Sequence, residues 1–291
     1  MSIIDRFTKG VKEKEISIGI GLGKSEFHNK KILYAAIKFI TQYQSNNVYF
    51  IGKKEVIDPI SVNSSYLKYK DKIKLVDTEE PIDILFAFLE DNTVDAIIRG
   101  GFSSSKFLPL VKKKLNIPII NRLALLETNA GYQFFYGPVG IDECNDLDSK
   151  MNFIEAAINQ LTTLGINPKV SVLSGGRKSD TGRDERVDMT IQNAEEIVKN
   201  IRGIFPNVKI EHDEILIEQS IENNANLIIA PDGISGNLIY RTLVHLGGGN
   251  AYGAIYMGLD KVIIDTSRVG DLNEYHGAFL LALSLLDHSE D

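Results

Sequence analysis

Ser267 and Arg268 stand side by side just after the apolar run Val262–Asp265, with two carboxylates, Asp271 and Glu274, close behind. A guanidinium is a planar fork that stays charged and matches the oxygens of phosphate or carboxylate, so Arg268 is the strongest single candidate for holding an anionic substrate. Asp271 and Glu274 also have the spacing of a helix capping box, a local role that competes with acid–base catalysis for both. A second apolar run leads into Pro231-Asp232-Gly233-Ile234-Ser235-Gly236-Asn237. There Ser235 or Asn237 can cap the following helix, while Gly233 and Gly236 permit unusual backbone angles. The dipole and free N–H groups of such a helix start favour an anion, which makes Asp232, Ser235, Gly236 and Asn237 candidate binding residues.

Three further turns carry chemistry-bearing residues. Ile98-Arg99-Gly100-Gly101-Phe102-Ser103-Ser104-Ser105 places two glycines and three hydroxyls between a strand and a helix. One serine is explained by capping; three beside a guanidinium point to ligand contact through Arg99, Gly101, Ser103 and Ser104. The loop Ser174-Gly175-Gly176-Arg177 through Arg186 carries four cations among small residues. It reads as an anion-binding flap, with Ser174, Gly176 and Arg177 as its candidates and closure of 175–186 as a possible motion. The competing reading is a solvated loop whose Asp180, Asp184 and Glu185 neutralise the cations in surface pairs. Gly19-Ile20-Gly21-Leu22-Gly23-Lys24-Ser25 invites a nucleotide-binding reading, yet a P-loop needs glycine where Ile18 stands and the dinucleotide pattern needs one where Lys24 stands. It is read instead as a flexible strand-to-helix turn.

The elements that must position these turns alternate along the whole chain. Apolar runs of strand length are Ile16–Ile20, Asn47–Ile51, Ile82–Phe86, Ala96–Ile98, Lys169–Leu173, Leu227–Ala230 and Val262–Asp265. Helical periodicity marks Ser25–Gln42, Lys106–Leu115, Leu147–Leu164, Val187–Ile201, Gly236–Leu246 and Leu272–Leu286. Met151–Leu164 stops at Gly165 with Pro168 beyond, a regular helix ending. This alternation predicts an α/β protein with mostly parallel sheets and helices on both faces. At 291 residues the chain exceeds a single core, so two lobes are expected. The expected division is residues 1–137 with 262–291 against 138–261, with 136–146 as the crossover and the substrate cleft between the lobes.

The formal charge of −7 argues against nonspecific nucleic-acid binding. A single cysteine, Cys144, excludes an intrachain disulfide and fits a reducing compartment. Met1–Glu15 lacks the apolar core of a signal peptide and no run reaches membrane-spanning length, so a cytoplasmic protein without membrane contact is expected. His28, His212, His245, His276 and His288 form no ligand pattern, and no metal is expected. No serine-hydrolase elbow is present either.

Taken in order, the turns of the second half, about Asn167 to Leu286, resemble the motif series of phosphate acetyltransferases. The residues that carry the likeness are Leu173-Ser174 and its glycine-rich loop, Ala230-Pro231-Asp232…Gly236-Asn237, Gly253-Ala254-Ile255…Gly258-Leu259 and Asp265-x-Ser267-Arg268. The first half is similar mainly in strand-turn-helix order and in the small-residue turn at Ala96–Ser105. As a whole the chain resembles most the methanogen-restricted branch of that superfamily, the methanogenesis marker proteins named as Mtx methyltransferase subunit X. The resemblance implies a fold like that of isocitrate and isopropylmalate dehydrogenases, a homodimer, and acyl transfer between a coenzyme A thioester and phosphate with no bound cofactor. It also implies the alternative of a non-catalytic or methyltransferase-associated protein of methanogen one-carbon metabolism, with methyltransferase subunits as partners.

By the same resemblance Ser267 hydrogen-bonds the developing thiolate or carbonyl and Arg268 holds phosphate, while the base that deprotonates the thiol falls on Glu274, where the family carries aspartate. Three positions depart from the pattern: Val269 replaces a glycine, Gly270 a cysteine, and Leu108 or a neighbour the phosphate-binding arginine. That leaves Arg99, Lys106 and Arg122 as the cations that could substitute.

Overall fold

The computed structural model describes residues 2–8 and 15–288. Residues 1 and 9–14 of the N-terminal stretch, and the side chain of His288, lie outside the described residues. In chain order the elements are α1 (Ile3–Thr8), β1 (Ser17–Gly21), α2 (Glu26–Gln42), β2 (Asn47–Gly52), α3 (Lys54–Ser61), α4 (Ser64–Leu67), β3 (Ile73–Asp77), α5 (Pro81–Glu90), β4 (Ala96–Ile98) and α6 (Ser104–Leu115). They continue with β5 (Arg122–Glu127), β6 (Gln133–Gly137), α7 (Leu147–Thr163), β7 (Lys169–Val172), α8 (Glu185–Ile204), β8 (Lys209–His212), α9 (Ile217–Glu222), β9 (Leu227–Ile229), α10 (Gly233–His245), β10 (Asn250–Tyr256), β11 (Val262–Asp265) and α11 (Leu272–His288).

Two compact units result, Met1–Ile120 with Ala251–Asp291 and Asn121–Asn250. The boundaries differ from the expected 137/138 and 261/262 because of strand pairing. β6 pairs in parallel with β9, Tyr136 opposite Ile228, which carries the β5–β6 hairpin into the second unit. β10 pairs antiparallel with β11, Ala254 opposite Asp265, which returns it to the first. The segment 136–146 therefore lies wholly within the second unit and is no crossover.

In the first unit the strands run in the order β3-β2-β1-β4-β11-β10, all parallel except β10. Central parallel strands are covered on both faces, so they read as unbroken apolar runs. Ile97 and Ile263 point to one face and join Leu85, Phe86 and Leu89 of α5 with Phe107 and Val111 of α6. On the other face α2 packs on α11, with the Phe39 and Phe279 rings stacked at 5.1 Å between centroids. In the second unit the order is β5-β6-β9-β7-β8, parallel except for the hairpin; α7 packs on α8, and the two helices bury Phe153, Ala157 and Leu161 and Ala194, Ile197 and Ile201. Among the described residues no helix is long and apolar enough to cross a membrane.

One expected strand is a helix. Ile82–Phe86 lies in α5, where Pro81 occupies the first turn and Leu85, Phe86 and Leu89 share a buried face. A short apolar run fits either period, and only the neighbouring core decides. The N-terminal glycines also receive a structural role. Gly101 N donates to Gly21 O at 2.8 Å, and Gly100 has φ +61°. A Cβ on Gly101 would overlap Gly23 N, and one on Gly23 would overlap Gly101 O. The turns after β1 and β4 thus pack backbone against backbone, fixing where α6 begins.

Gly101→Ala is expected to cost about 1–3 kcal/mol by overpacking, read as a lower urea midpoint. Gly203→Ala, where an added Cβ meets nothing within 4 Å inside α8, is expected to leave the midpoint equal or raised. Equal midpoints for Gly101→Ala and wild type would sink the packing account.

Candidate active site

β4 and β11 are parallel neighbours, Ile97 opposite Ile263, so the turns that leave their C-terminal ends lie side by side. Arg99 joins them. Its side chain is 6% exposed, and Nε donates to Asp265 Oδ1, Nη1 to Phe102 O at 2.6 Å and Nη2 to Thr266 O. Thr266 Oγ1 donates back to Gly100 O at 3.3 Å. The guanidinium is directed into protein and its charge is met by Asp265, which corrects the reading of Arg99 as a substrate contact. Gly101 is likewise occupied by its approach to Gly23.

Ser267 is half-buried and Arg268 exposed, and the Arg268 guanidinium has no hydrogen-bond or ion-pair partner among the described residues. Glu274, in the first turn of α11, is 4% exposed, and its Oε1 accepts from Ser267 N. Burial pushes this carboxyl up to about 8, against the opposing pull of the Ser267 N–H and of the Arg99 charge. Asp271 instead pairs with Lys31 of α2, so the two carboxylates serve different partners. A Cβ on Gly270 would stand 2.7 Å from Glu274 Oε2. The two positions are therefore sterically linked: the glutamate reaches one methylene further than the aspartate the resemblance leads one to expect, and Gly270 leaves room for it. Sequence reasoning passed over Tyr275, whose hydroxyl donates to Ser267 O at 3.2 Å and Arg268 O at 3.4 Å; an aromatic in an apolar helix gives no sign of that use.

At the start of α6, Ser103 Oγ lies 2.8 Å from Ser105 Oγ and makes no side-chain cap, while Ser104 and Ser105 are exposed. Leu108 packs against the apolar cluster of Phe107 and Val111. Of the three cations that could replace an arginine there, Arg99 is locked as described and Arg122 is buried against Glu143 at 2.6 Å. Lys106 alone is exposed.

The remaining candidates belong to the second unit. Ser174 is buried; its hydroxyl donates to Gly176 O at 2.8 Å and lies 2.8 Å from His212 Nε2. Burial, with Lys178 nearby, holds His212 below its ordinary range. In the loop that follows, Arg177 is exposed and its N–H donates to Asp180 at 2.9 Å, Arg183 pairs with Asp180 at 2.5 Å, Lys178 pairs with Glu195 at 2.8 Å, and Asp184 caps α8. Among the described residues, of the three carboxylates expected to neutralise the loop, Asp180 alone pairs with one of its cations, while Asp184 is used as a helix cap.

The turn after β9 is occupied too. α10 begins a turn earlier than expected, so the cap is Asp232 rather than Ser235 or Asn237. Asp232 accepts from Ser235 N at 2.8 Å, Gly233 N donates to Glu143 O at 3.2 Å, and Asn237 Nδ2 donates to Val139 O at 2.8 Å. A Cβ on Gly236 would overlap Pro138 O. A carboxylate and a carbonyl already fill this helix start, which corrects its reading as an open anion seat. Lys150, buried alongside, donates to Pro231 O, and burial lowers its pKa. Among the described residues no three histidine, cysteine, aspartate or glutamate side chains converge to hold a metal.

Arg99→Met leaves Asp265 buried without its cation and is expected to cost about 3–5 kcal/mol in urea unfolding, against less than ~0.5 kcal/mol for Arg268→Ala; equal losses would reverse the two assignments. Glu274 carries a raised pKa in the folded state. Its contribution is therefore full below its ordinary value of 4.5 and is lost as pH rises towards about 8. The melting temperature of Glu274→Gln relative to wild type should climb between those values and level off above, and a flat difference would contradict the buried carboxyl.

A model of the phosphate acetyl/butaryl transferase family matches residues 68–282. A Methanosarcina mazei protein named "Putative methyltransferase mtx subunit X" is 42% identical over 238 residues, covering 82% of this chain and 80% of its own. A phosphate acetyltransferase of Thermoanaerobacterium thermosaccharolyticum is 26% identical, covering 75% of this chain and 76% of its own. Among solved structures, a phosphotransacetylase from Streptococcus pyogenes superposes with a TM-score of 0.69 over 98% of this chain and 99% of its own, and at 16% identity that likeness is one of fold. With the family's model spanning most of its length and its motif turns at the ends of β9 and β11, the chain belongs to the phosphate acetyl/butaryl transferase family.

Proposed function

We propose that the protein transfers an acyl group between a coenzyme A thioester and phosphate, with Ser267, Arg268 and Glu274 as the reacting constellation. The observation that carries this reading is the contrast between two arginines on neighbouring turns: Arg99 is consumed by the fold, whereas Arg268 is exposed, unpartnered and adjacent to a hydroxyl and a buried carboxyl.

In the direction that forms the thioester, the thiol gives its proton to Glu274 and its sulfur attacks the acyl carbon. The bond from that carbon to the phosphate oxygen then breaks, and the departing phosphate keeps the electron pair. Arg268 holds the phosphate throughout, and Ser267 Oγ donates to the oxyanion formed on the carbonyl. The opposite direction reverses each step, with Glu274 returning its proton to the thiolate. A base titrating at about 8 is closely matched to a thiol, which is where general-base catalysis is most effective. No covalent enzyme intermediate is required; positioning and charge stabilisation supply the rate.

A second reading, an accessory protein of a methyltransferase, is favoured by the packing of Leu108 into the apolar cluster and by the name of the 42%-identical relative. Thiol release from a panel of acyl-coenzyme A compounds separates the two. Acyl transfer predicts phosphate-dependent release that falls about 10²–10³-fold in Arg268→Ala and rises with pH through about 8 in wild type but not in Glu274→Gln. No release from any thioester, or release indifferent to phosphate and to Arg268→Ala, would overturn the enzymatic reading in favour of the accessory one.

A further inference from the structure

We infer that Tyr275 is a positioning residue: its buried hydroxyl sets the direction of the Ser267–Arg268 peptide and so holds the Arg268 guanidinium in its place for the anion. The kinetic part of this inference rests on the acyl-transfer reading. Tyr275 is 0% exposed and sits in the first turns of α11, a helix whose same side carries buried Ala278, Phe279 and Ala282. A phenol buried only to fill space carries an O–H that costs free energy unless it finds an acceptor. Here the acceptors are the carbonyls of two successive residues, Ser267 at 3.2 Å and Arg268 at 3.4 Å. Two consecutive carbonyls can share one donor only where the chain curls around it, so the hydroxyl fixes the turn's curvature.

The neighbouring side chain completes the grip. Glu274 accepts from Ser267 N, and Gly270 N donates to Ser267 O at 3.0 Å. Ser267 is therefore held at both its N–H and its C=O, and Arg268 at its C=O, by consecutive residues of one helix. The Arg268 side chain has no restraint of its own among the described residues. The backbone sets the point and direction in which that side chain leaves the chain, and among the described residues the hydroxyl of Tyr275 is the one side-chain group bonded to the Arg268 backbone. Preorganisation of this kind raises affinity for the anion by lowering the cost of ordering the guanidinium on binding. Without the hydroxyl, Ser267 C=O keeps the Gly270 N–H and Ser267 N–H keeps Glu274, whereas Arg268 C=O loses its side-chain donor, so the larger effect falls on the anion rather than on the thioester.

Tyr275→Phe removes the hydroxyl and keeps the buried ring, so the volume it fills is preserved. Two measurements on purified full-length protein test the inference. In thiol release, the phosphate KM is expected to rise about tenfold, the scale of one net hydrogen bond, while the thioester KM and kcat each change less than about twofold. A general structural loss would move all three together and would overturn the assignment. In amide-resolved hydrogen exchange, the Ser267 and Gly270 amides are expected to exchange faster while the 275–286 amides keep their protection. Unchanged exchange at those two amides would overturn the inference whatever the kinetics show. Wild-type protein that releases no thiol, yet shows the exchange difference on substitution, would uphold the clamp and sink the acyl-transfer reading instead.

Discussion

The bond pattern of Arg99 is the constraint on which the first unit's candidate site depends. Parallel strands place their C-terminal turns next to one another, but adjacency alone does not fix how two turns meet. A buried guanidinium with Asp265 on one side and the carbonyls of Phe102 and Thr266 on the other removes that freedom. Its desolvation is costly, and the charge partner together with the carbonyl acceptors offsets it only in one arrangement. The same arrangement seats Gly100 and Gly101 against the turn after β1, where no side chain fits. Ser103, Ser267 and Arg268 inherit their positions from this joint.

A second consequence concerns how charge is distributed around the site. At Leu108, where the family resemblance leads one to expect an arginine, the structure has apolar packing rather than a cation. Arg99 does not compensate, because it is buried and bonded to Asp265, Phe102 O and Thr266 O, and Arg122 is paired with Glu143 in the other unit. What remains at the end of β11 is one open guanidinium beside a carboxyl that burial keeps largely protonated near neutrality. On the acyl-transfer proposal the guanidinium holds the anion and the carboxyl takes the thiol proton, and the bare Gly270 leaves room for the length of Glu274.

The second unit shows the opposite use of similar residues. At the start of α10 the dipole and N–H groups that could attract an anion are met by Asp232 and by Glu143 O. Ser174 is turned towards Gly176 O and His212, and two of the four cations of 177–186, Lys178 and Arg183, find carboxylates in α8 and in the loop itself. These motifs look alike in sequence because capping and ligand binding draw on the same small polar residues. They differ only in whether another part of the chain has already taken the donors.

The sequence by itself determined the α/β class, most of the long helices and the central strands, because hydrophobic period is a property of the local chain; it also marked Arg268 as a candidate for an anion by its fixed charge, and the family resemblance added roles for Ser267 and Glu274. It did not determine that Ile82–Phe86 would be a helix, since five apolar residues satisfy both periods until a core chooses between them. Nor did it determine the unit boundaries, which follow from strands such as β6 and β10 choosing partners far away in the chain. Most of all, it could not separate Arg99 from Arg268. Both are arginines in small-residue turns after buried strands, and only tertiary structure decided which would be surrounded by acceptors and which left open, because burial and partners are set by residues, Asp265 and Thr266 among them, that lie far from Arg99 in the chain.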